Sequence, residues 1–145
     1  MSKPVRQAAA IPYRRSALGH VEVLLVSLTG GGWGVPKGGV KKGHDAPQTA
    51  ALETLEEAGV LGSLVDEPLG RYRFTKRGRA HEVTVYALEV ERWLARWQEE
   101  DARIRVWVPV SEAPRLLRRK ALIPFLTRLR HQLLTAEQPA IRLAA

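Results

Sequence analysis

Three glutamates, Glu53, Glu56 and Glu57, fall inside one short run, A-L-E-T-L-E-E-A-G-V, and this run constrains the chain more than any other. At about 3.6 residues per turn, their carboxylates occupy an arc of roughly 100° on one helical face. Like charges packed so tightly repel unless a cation sits among them. Oxygen-only donors suit a hard divalent cation, Mg²⁺ or Mn²⁺. The first expectation is therefore a metal site on an acidic helix face, with a solvated acidic face as the alternative.

The helix is well punctuated. Asp45 is placed to N-cap it, Pro47 sits near the first turn, and Gln48 completes a capping box. Gly59 ends it. Ala51, Leu55 and Ala58 are read as its back face with Leu52 on the flank, which turns the three glutamates away from the core. Strands are expected at 7–14, 21–28, 69–75, 82–90 and 104–110. The glycines of Thr29–Gly34 mark a loop, which no Gly-Lys-Ser/Thr follows as a P-loop requires. Residues 35–44 are expected to be irregular and 76–81 to form a hairpin loop. Ser111 is read as the cap of a short helix through Leu117, and 122–134 as a terminal amphipathic helix. Strands on both sides of a central helix predict an α+β fold, an α/β/α sandwich with a mixed sheet between helical layers.

A chain of 145 residues suits one domain, 1–145. The absence of cysteine excludes disulfides and thiolate metal sites and fits a reducing compartment. Neither a signal-peptide core nor a stretch of ~20 apolar residues is present, so no membrane association and a cytoplasmic location are expected. The net charge of +8, from 23 Lys+Arg against 15 Asp+Glu, points to a polyanionic partner.

Gly38, Glu53, Glu56-Glu57 and Gly59-Val60 follow the spacing of the Nudix signature, and the resemblance extends through Q-A-A-A-I-P-Y-R, W-G-V-P-K-G-G, L-G-R-Y-R-F-T-K-R and R-I-R-V-W-V-P-V-S-E-A. Together these segments, over roughly residues 5–130, resemble the diphosphoinositol-polyphosphate and diadenosine-polyphosphate hydrolase branch of that family. The resemblance implies a loop–helix–loop that binds Mg²⁺ or Mn²⁺ and hydrolyses a diphosphate linkage. Glu53, Glu56 and Glu57 would be ligands and catalytic carboxylates, joined by a backbone carbonyl of Lys37 or Gly38. Two positions depart from the signature: His44 replaces its first glutamate, and Leu52 replaces the arginine before Glu53. Leucine offers none of the five guanidinium donors that hold a carboxylate in place. His44 is read as a solvated loop residue.

Lys37, Gly38, Gly39 and Lys42 precede the helix, while Arg71, Arg73, Lys76 and Arg77 lie on or near the next hairpin, and all eight are candidates for holding substrate phosphates. Alternation puts Arg71 and Arg73 on one strand face and Tyr72 and Phe74 on the other. Lys41 makes the mouth more basic. Glu99, Glu100 and Asp101 are read as a solvated charge run, and His81 and Glu82 have no motif behind them. Among the tryptophans, Trp33 beside the glycine loop is the best candidate for base stacking. The expected activity is metal-dependent hydrolysis of a highly phosphorylated small molecule, a diphosphoinositol or dinucleoside polyphosphate. The alternatives are a pyrophosphohydrolase acting on RNA 5′ ends and a catalytically weakened module that binds polyanions, nucleic acid included. Both monomer and homodimer are open.

Overall fold

The computed structural model describes residues 2–144, with side chains described for 2–134. Strands β1 (Val5–Arg15), β2 (Val21–Ser27), β3 (Trp33–Gly34) and β4 (Lys37–Gly39) precede helix α1 (Ala46–Ala58). Strands β5 (Val60–Leu64), β6 (Gly70–Lys76), β7 (Arg79–Trp93) and β8 (Arg105–Pro109) follow. The short helix α2 (Ala113–Leu116), a 3-10 turn at Lys120–Leu122 and helix α3 (Ile123–Ala144) complete the chain. The sheet runs β3-β2-β1-β7-β5, with β4 paired to β1, β6 to β7 and β8 to β2. It is mixed because β1 and β7 run parallel while the other pairs are antiparallel.

Residues Ala8 to Ile11 of β1 are fully buried, so this strand is covered on both faces, and alternation sorts its side chains. Ala8 and Ala10 pack with Ala46 and Ala50 of α1, whereas Ala9, Ile11 and Tyr13 join the larger core beneath Phe125, Leu126 and Leu129 of α3. The sandwich is thus a sheet between α1 and α3, as the pattern predicts.

The departures have local causes. Residues 35–44 are not wholly irregular: Lys37, Gly38 and Gly39 pair with Ala9, Ala8 and Gln7, a strand that glycine's poor β-propensity conceals. Strand β5, V-L-G-S-L, escapes sequence reading for the same reason. A Cβ at Gly62 would lie 1.9 Å from the Glu89 carbonyl oxygen, so the glycine serves a close backbone approach at a bulge. The hairpin loop shrinks to Arg77 and Gly78, both at positive φ (52° and 74°), with Lys76 already opposite Arg79. The residue at the N-cap of α2 is Glu112, not Ser111, and it makes no side-chain cap. Among the described residues no helix is long and apolar enough to cross a membrane.

Candidate functional site

Helix α1 begins as its sequence dictates: Asp45 accepts from the Gln48 amide at 2.8 Å while the Gln48 side chain accepts from the Asp45 amide at 3.0 Å. Gly59 closes it in the left-handed region (φ 66°), its N–H donating to Leu55. The buried stripe, however, is Ala46, Ala50, Thr54 and Ala58, joined by Thr49, whereas Ala51 and Leu55 are only half-buried. The helix is therefore turned by about one residue, roughly 100°, from the expected face. Alanine and threonine let it lie close to the sheet.

This rotation carries Glu57 inward. Its residue surface is only 5% exposed, so it does not point away from the core as expected. Glu53 is half-buried and rests on β4, where a Cβ at Gly38 would stand 2.1 Å from its Oε1. A side chain at 38 would displace the Glu53 carboxyl. Glu53 and Glu57 lie one helical turn apart, and each side chain perturbs the other's titration. Burial first, and then the Glu53 hydrogen bond, push Glu57 up to about 9, with Arg103 opposing. Burial also raises Glu53, helped by the charges of Glu56 and Glu99, while the Glu57 hydrogen bond and Lys41 lower it.

A segment whose acids were read from the sequence as a solvated charge run borders the cluster. Residues 94–104, between β7 and β8, and Arg105 at the start of β8 close over the C-terminal end of α1 and supply donors to its last carbonyls. The Glu99 amide donates to Glu56 at 3.0 Å, Trp97 Nε1 to Glu57 at 3.0 Å, and Arg105 Nη1 to Ala58 at 2.9 Å. Arg105 itself lies between the rings of Trp93 and Trp97, at 3.5 and 3.8 Å. Glu99 is not part of a merely solvated run. It pairs with Arg103 at 3.1 Å and its charge reaches both Glu53 and Glu57, whereas Glu100 is engaged by exposed Arg96. The only sequence signal was the tryptophan and arginine spacing around these acids.

The basic candidates separate between the two faces of the sheet. Lys37 Nζ lies 4.4 Å from the Phe74 ring centre, and the Arg119 guanidinium lies 4.2 Å from the same ring. His81 stacks on Phe74 at 4.8 Å, and partial burial together with Lys37, Lys76 and Arg79 lowers its pKa. Lys37 falls to about 8, chiefly through burial and then through Arg119 and Lys76. Alternation puts Lys76 on the Phe74 side and sends Arg71 and Arg73 to the other face. Arg73 is not available there, since it is paired with Glu82 across the strands at 2.9 Å. Lys42 and His44 are exposed in the turn before α1, Gly39 is exposed at the end of β4, and Arg77 sits at the hairpin tip. Arg118 and Arg119 were not singled out from the sequence. Arg118 ties down the glycine loop by donating to the Thr29 and Gly31 carbonyls at 3.0 and 2.8 Å. Trp33 packs against the main core instead of standing as an open platform.

A small hollow of about 70 Å³ is lined by Lys37, Tyr72, Arg118 and Arg119. A larger one of about 450 Å³ lies among Arg15, His20, Val110 and Arg130, and none of the three glutamates borders it. The carboxylate cluster lies apart from the larger hollow. Among the described residues no three Asp, Glu or His side chains close on one point as a finished cage. The buried Glu57 and half-buried Glu53 carboxylates beside a glycine backbone still fit a hard cation of the Mg²⁺ type, which keeps waters and phosphate oxygens among its ligands.

The NUDIX domain family matches residues 4–129. Nudix hydrolase 21, chloroplastic, of Arabidopsis thaliana is 36% identical over 128 residues, covering 81% of this chain and 64% of the relative. The chain thus spans less than two thirds of that protein's length. The Ap4A hydrolase of C. elegans superposes with a TM-score of 0.75 at 22% identity, covering 90% of this chain and 99% of its own. The NUDIX domain of Shewanella oneidensis NrtR, solved with ADP ribose, gives 0.73 at 15% identity, covering 92% and 90%. At these identities the solved structures establish the fold.

Proposed function

The chain belongs to the Nudix family, and from that premise we propose that it hydrolyses a diphosphate linkage in a highly phosphorylated small molecule, with Mg²⁺ or Mn²⁺ held at Glu53, Glu56 and Glu57. The observation that carries this reading is the Glu53–Glu57 pair: two carboxyls one helix turn apart, Glu57 buried and Glu53 lying against the Gly38 backbone. A bound divalent cation would neutralise phosphate charge and acidify a water. Glu53 and Glu57 would hold it, with Glu56 and a backbone carbonyl of Lys37 or Gly38 beside them. Glu57, anionic beside the cation, would accept a proton from the attacking water.

The remaining side chains bind and orient. Lys37, Lys76 and Arg119 would take the phosphates distal to the reacting one, the lysines as point charges and the guanidinium as a fork. The ring of Phe74 keeps both Lys37 and Arg119 pointed at one place. Gly38 and Gly39 leave the backbone open to the substrate. Lys42 and Arg77 extend the basic mouth. Arg71 takes part only if the substrate reaches the α1 face, and Arg73 only by releasing Glu82. The density of cations favours diphosphoinositol or dinucleoside polyphosphates, and the Ap4A hydrolase and ADP-ribose-bound neighbours point toward the same chemistry. A cytoplasmic location remains part of this reading on the cysteine-free composition.

The test is phosphate and pyrophosphate release with Mg²⁺ or Mn²⁺ across diadenosine polyphosphates, diphosphoinositol phosphates, nucleoside triphosphates, nucleotide-sugars and triphosphorylated RNA, with Glu57→Gln alongside. Metal-dependent turnover that disappears in the variant supports the reading, and the best substrate names the class. Binding without turnover on every substrate would overturn the hydrolase in favour of a polyanion-binding module.

A further inference from the structure

Leu52 stands where the signature has arginine, and it is 40% exposed, so the helix itself brings no guanidinium to its glutamates. One arrives from elsewhere. The Arg103 side chain, only 21% exposed, reaches back from the segment before β8 and touches three partners at once. Its Nη2 lies 3.6 Å from Glu57 Oε1, its Nε donates to Glu99 Oε1 at 3.1 Å, and its Nη1 donates to the Ser27 carbonyl at 2.9 Å. No other cation forms an ion pair with Glu53, Glu56 or Glu57 among the described residues.

We propose that Arg103 is the positioning residue of the glutamate cluster, replacing from a distant loop the guanidinium that Leu52 does not supply. The geometry divides the work. The Ser27 carbonyl at the end of β2 anchors the planar fork to the sheet. The fork then holds Glu99 on one side and the Glu57 carboxyl on the other. At 3.6 Å the contact with Glu57 is an ion pair looser than a hydrogen bond, so it orients the carboxyl without consuming its acceptor oxygens. Glu57 keeps those oxygens for what the site takes up. The backbone bonds from Glu99, Trp97 and Arg105 to the end of α1 hold the loop in place, so Arg103 returns to the same position each time. Lysine is no substitute, because a single ammonium cannot span a carbonyl and two carboxylates in one plane. Arg103 acts through Glu57 and Glu99 and touches no substrate.

The catalytic half of this assignment rests on the proposed hydrolase, so its test has a second readout that does not. Arg103→Ala, Arg103→Lys and the control Arg96→Ala, which breaks an exposed pair in the same loop, are compared with the parent chain. In turnover at saturating Mg²⁺, Arg103→Ala is expected to lose on the order of tenfold to a hundredfold in kcat with KM within about twofold. Added guanidinium should restore part of the loss, and tetramethylammonium at matched ionic strength should not. Arg103→Lys should stay well below the parent, and Arg96→Ala should match it. In metal-free protein, hydrogen exchange at amides 97–104 should accelerate in Arg103→Ala and not in Arg96→Ala. If Arg103→Ala does not fold, Arg103→Lys carries both readouts. A kcat within about twofold of the parent, or a loss that guanidinium leaves untouched while exchange is unchanged, overturns the assignment. Should the parent itself show no turnover on any substrate, the hydrolase reading fails, and the exchange comparison alone decides for or against Arg103.

Discussion

The acidic face of α1 and the basic rim around Phe74 lie on opposite faces of one sheet, with successive residues of β4 between them. Gly38 receives the Glu53 carboxyl, and Lys37 leans the other way over Phe74. The two clusters handle like charge differently. On the acidic side Glu57 is buried, and the Arg103 guanidinium stands 3.6 Å from its carboxyl and opposes the rise of its pKa. On the basic side no carboxylate pairs with Lys37 among the described residues; it rests on a ring face and remains partly open to water. A buried cluster is held rigidly, and an open one adjusts. Changes on the α1 face should therefore appear in kcat, and changes on the Phe74 face in KM.

The strongest way to break this contrast is Glu57→Gln, which keeps the shape and removes the proposed base. Turnover is expected to fall by about 10²–10⁴-fold with KM little altered, and a parallel rise in KM in steady-state kinetics would contradict the division. Gly38→Ala comes next. Its new Cβ would meet Glu53 Oε1 at 2.1 Å, so the carboxyl must swing away. A loss of about a hundredfold in kcat is expected, together with a destabilisation of about 1–3 kcal/mol in denaturant unfolding.

On the basic face, Lys37→Met should raise KM by about tenfold, in line with a charge-assisted hydrogen bond of ~1.5–3 kcal/mol, while kcat holds. The same substitution removes a partly buried, unpaired cation, so the variant's melting temperature should not fall.

The two regions should also impose opposite pH slopes on the stability of metal-free protein. Glu57, raised from 4.5 to about 9, binds more proton folded than unfolded, so its contribution is whole below 4.5 and is lost as pH climbs through 9. Lys37, lowered from 10.5 to about 8, binds less proton folded, so its contribution is present above 10.5 and is lost as pH falls through 8. Melting curves should show Glu57→Gln flattening the first slope and Lys37→Met the second. Saturating Mg²⁺ should flatten the first only.

The smallest effect separates two arginines. Arg73, exposed and paired with Glu82, should contribute less than ~1 kcal/mol to stability, and Arg73→Ala should move KM less than Arg119→Ala does. A larger KM effect at Arg73 would shift the phosphate site to the α1 face of the hairpin.

These residues also mark where sequence reading reaches its limit. Asp45, Gln48 and Gly59 announce α1 because capping depends on neighbours three or four positions away. Glu53, Glu56 and Glu57 announce one face because helical geometry is fixed. Alternation in β6 correctly parted Arg71 and Arg73 from Tyr72 and Phe74. The same local rules misjudged the side of α1 that meets the sheet, because Ala50 and Ala51 are equally apolar and the packing of Ala8 and Ala10 chose between them. Strands β4 and β5 were hidden because glycine carries little strand signal, although at Gly38 and Gly62 it is what close packing requires.

What the sequence by itself determined is therefore the capped helix, its trio of glutamates, the mixed sheet and the excess of positive charge, all properties of short windows or of composition. Only the tertiary structure decided that Glu57 is buried, that Arg103 and Glu99 come to meet it, that Arg119 joins Lys37 over Phe74, and that Arg73 is already paired. Each of these depends on the path of a loop or the register between strands far apart in the chain. The free energy of a charge is set by what folding brings beside it, and no local window contains that.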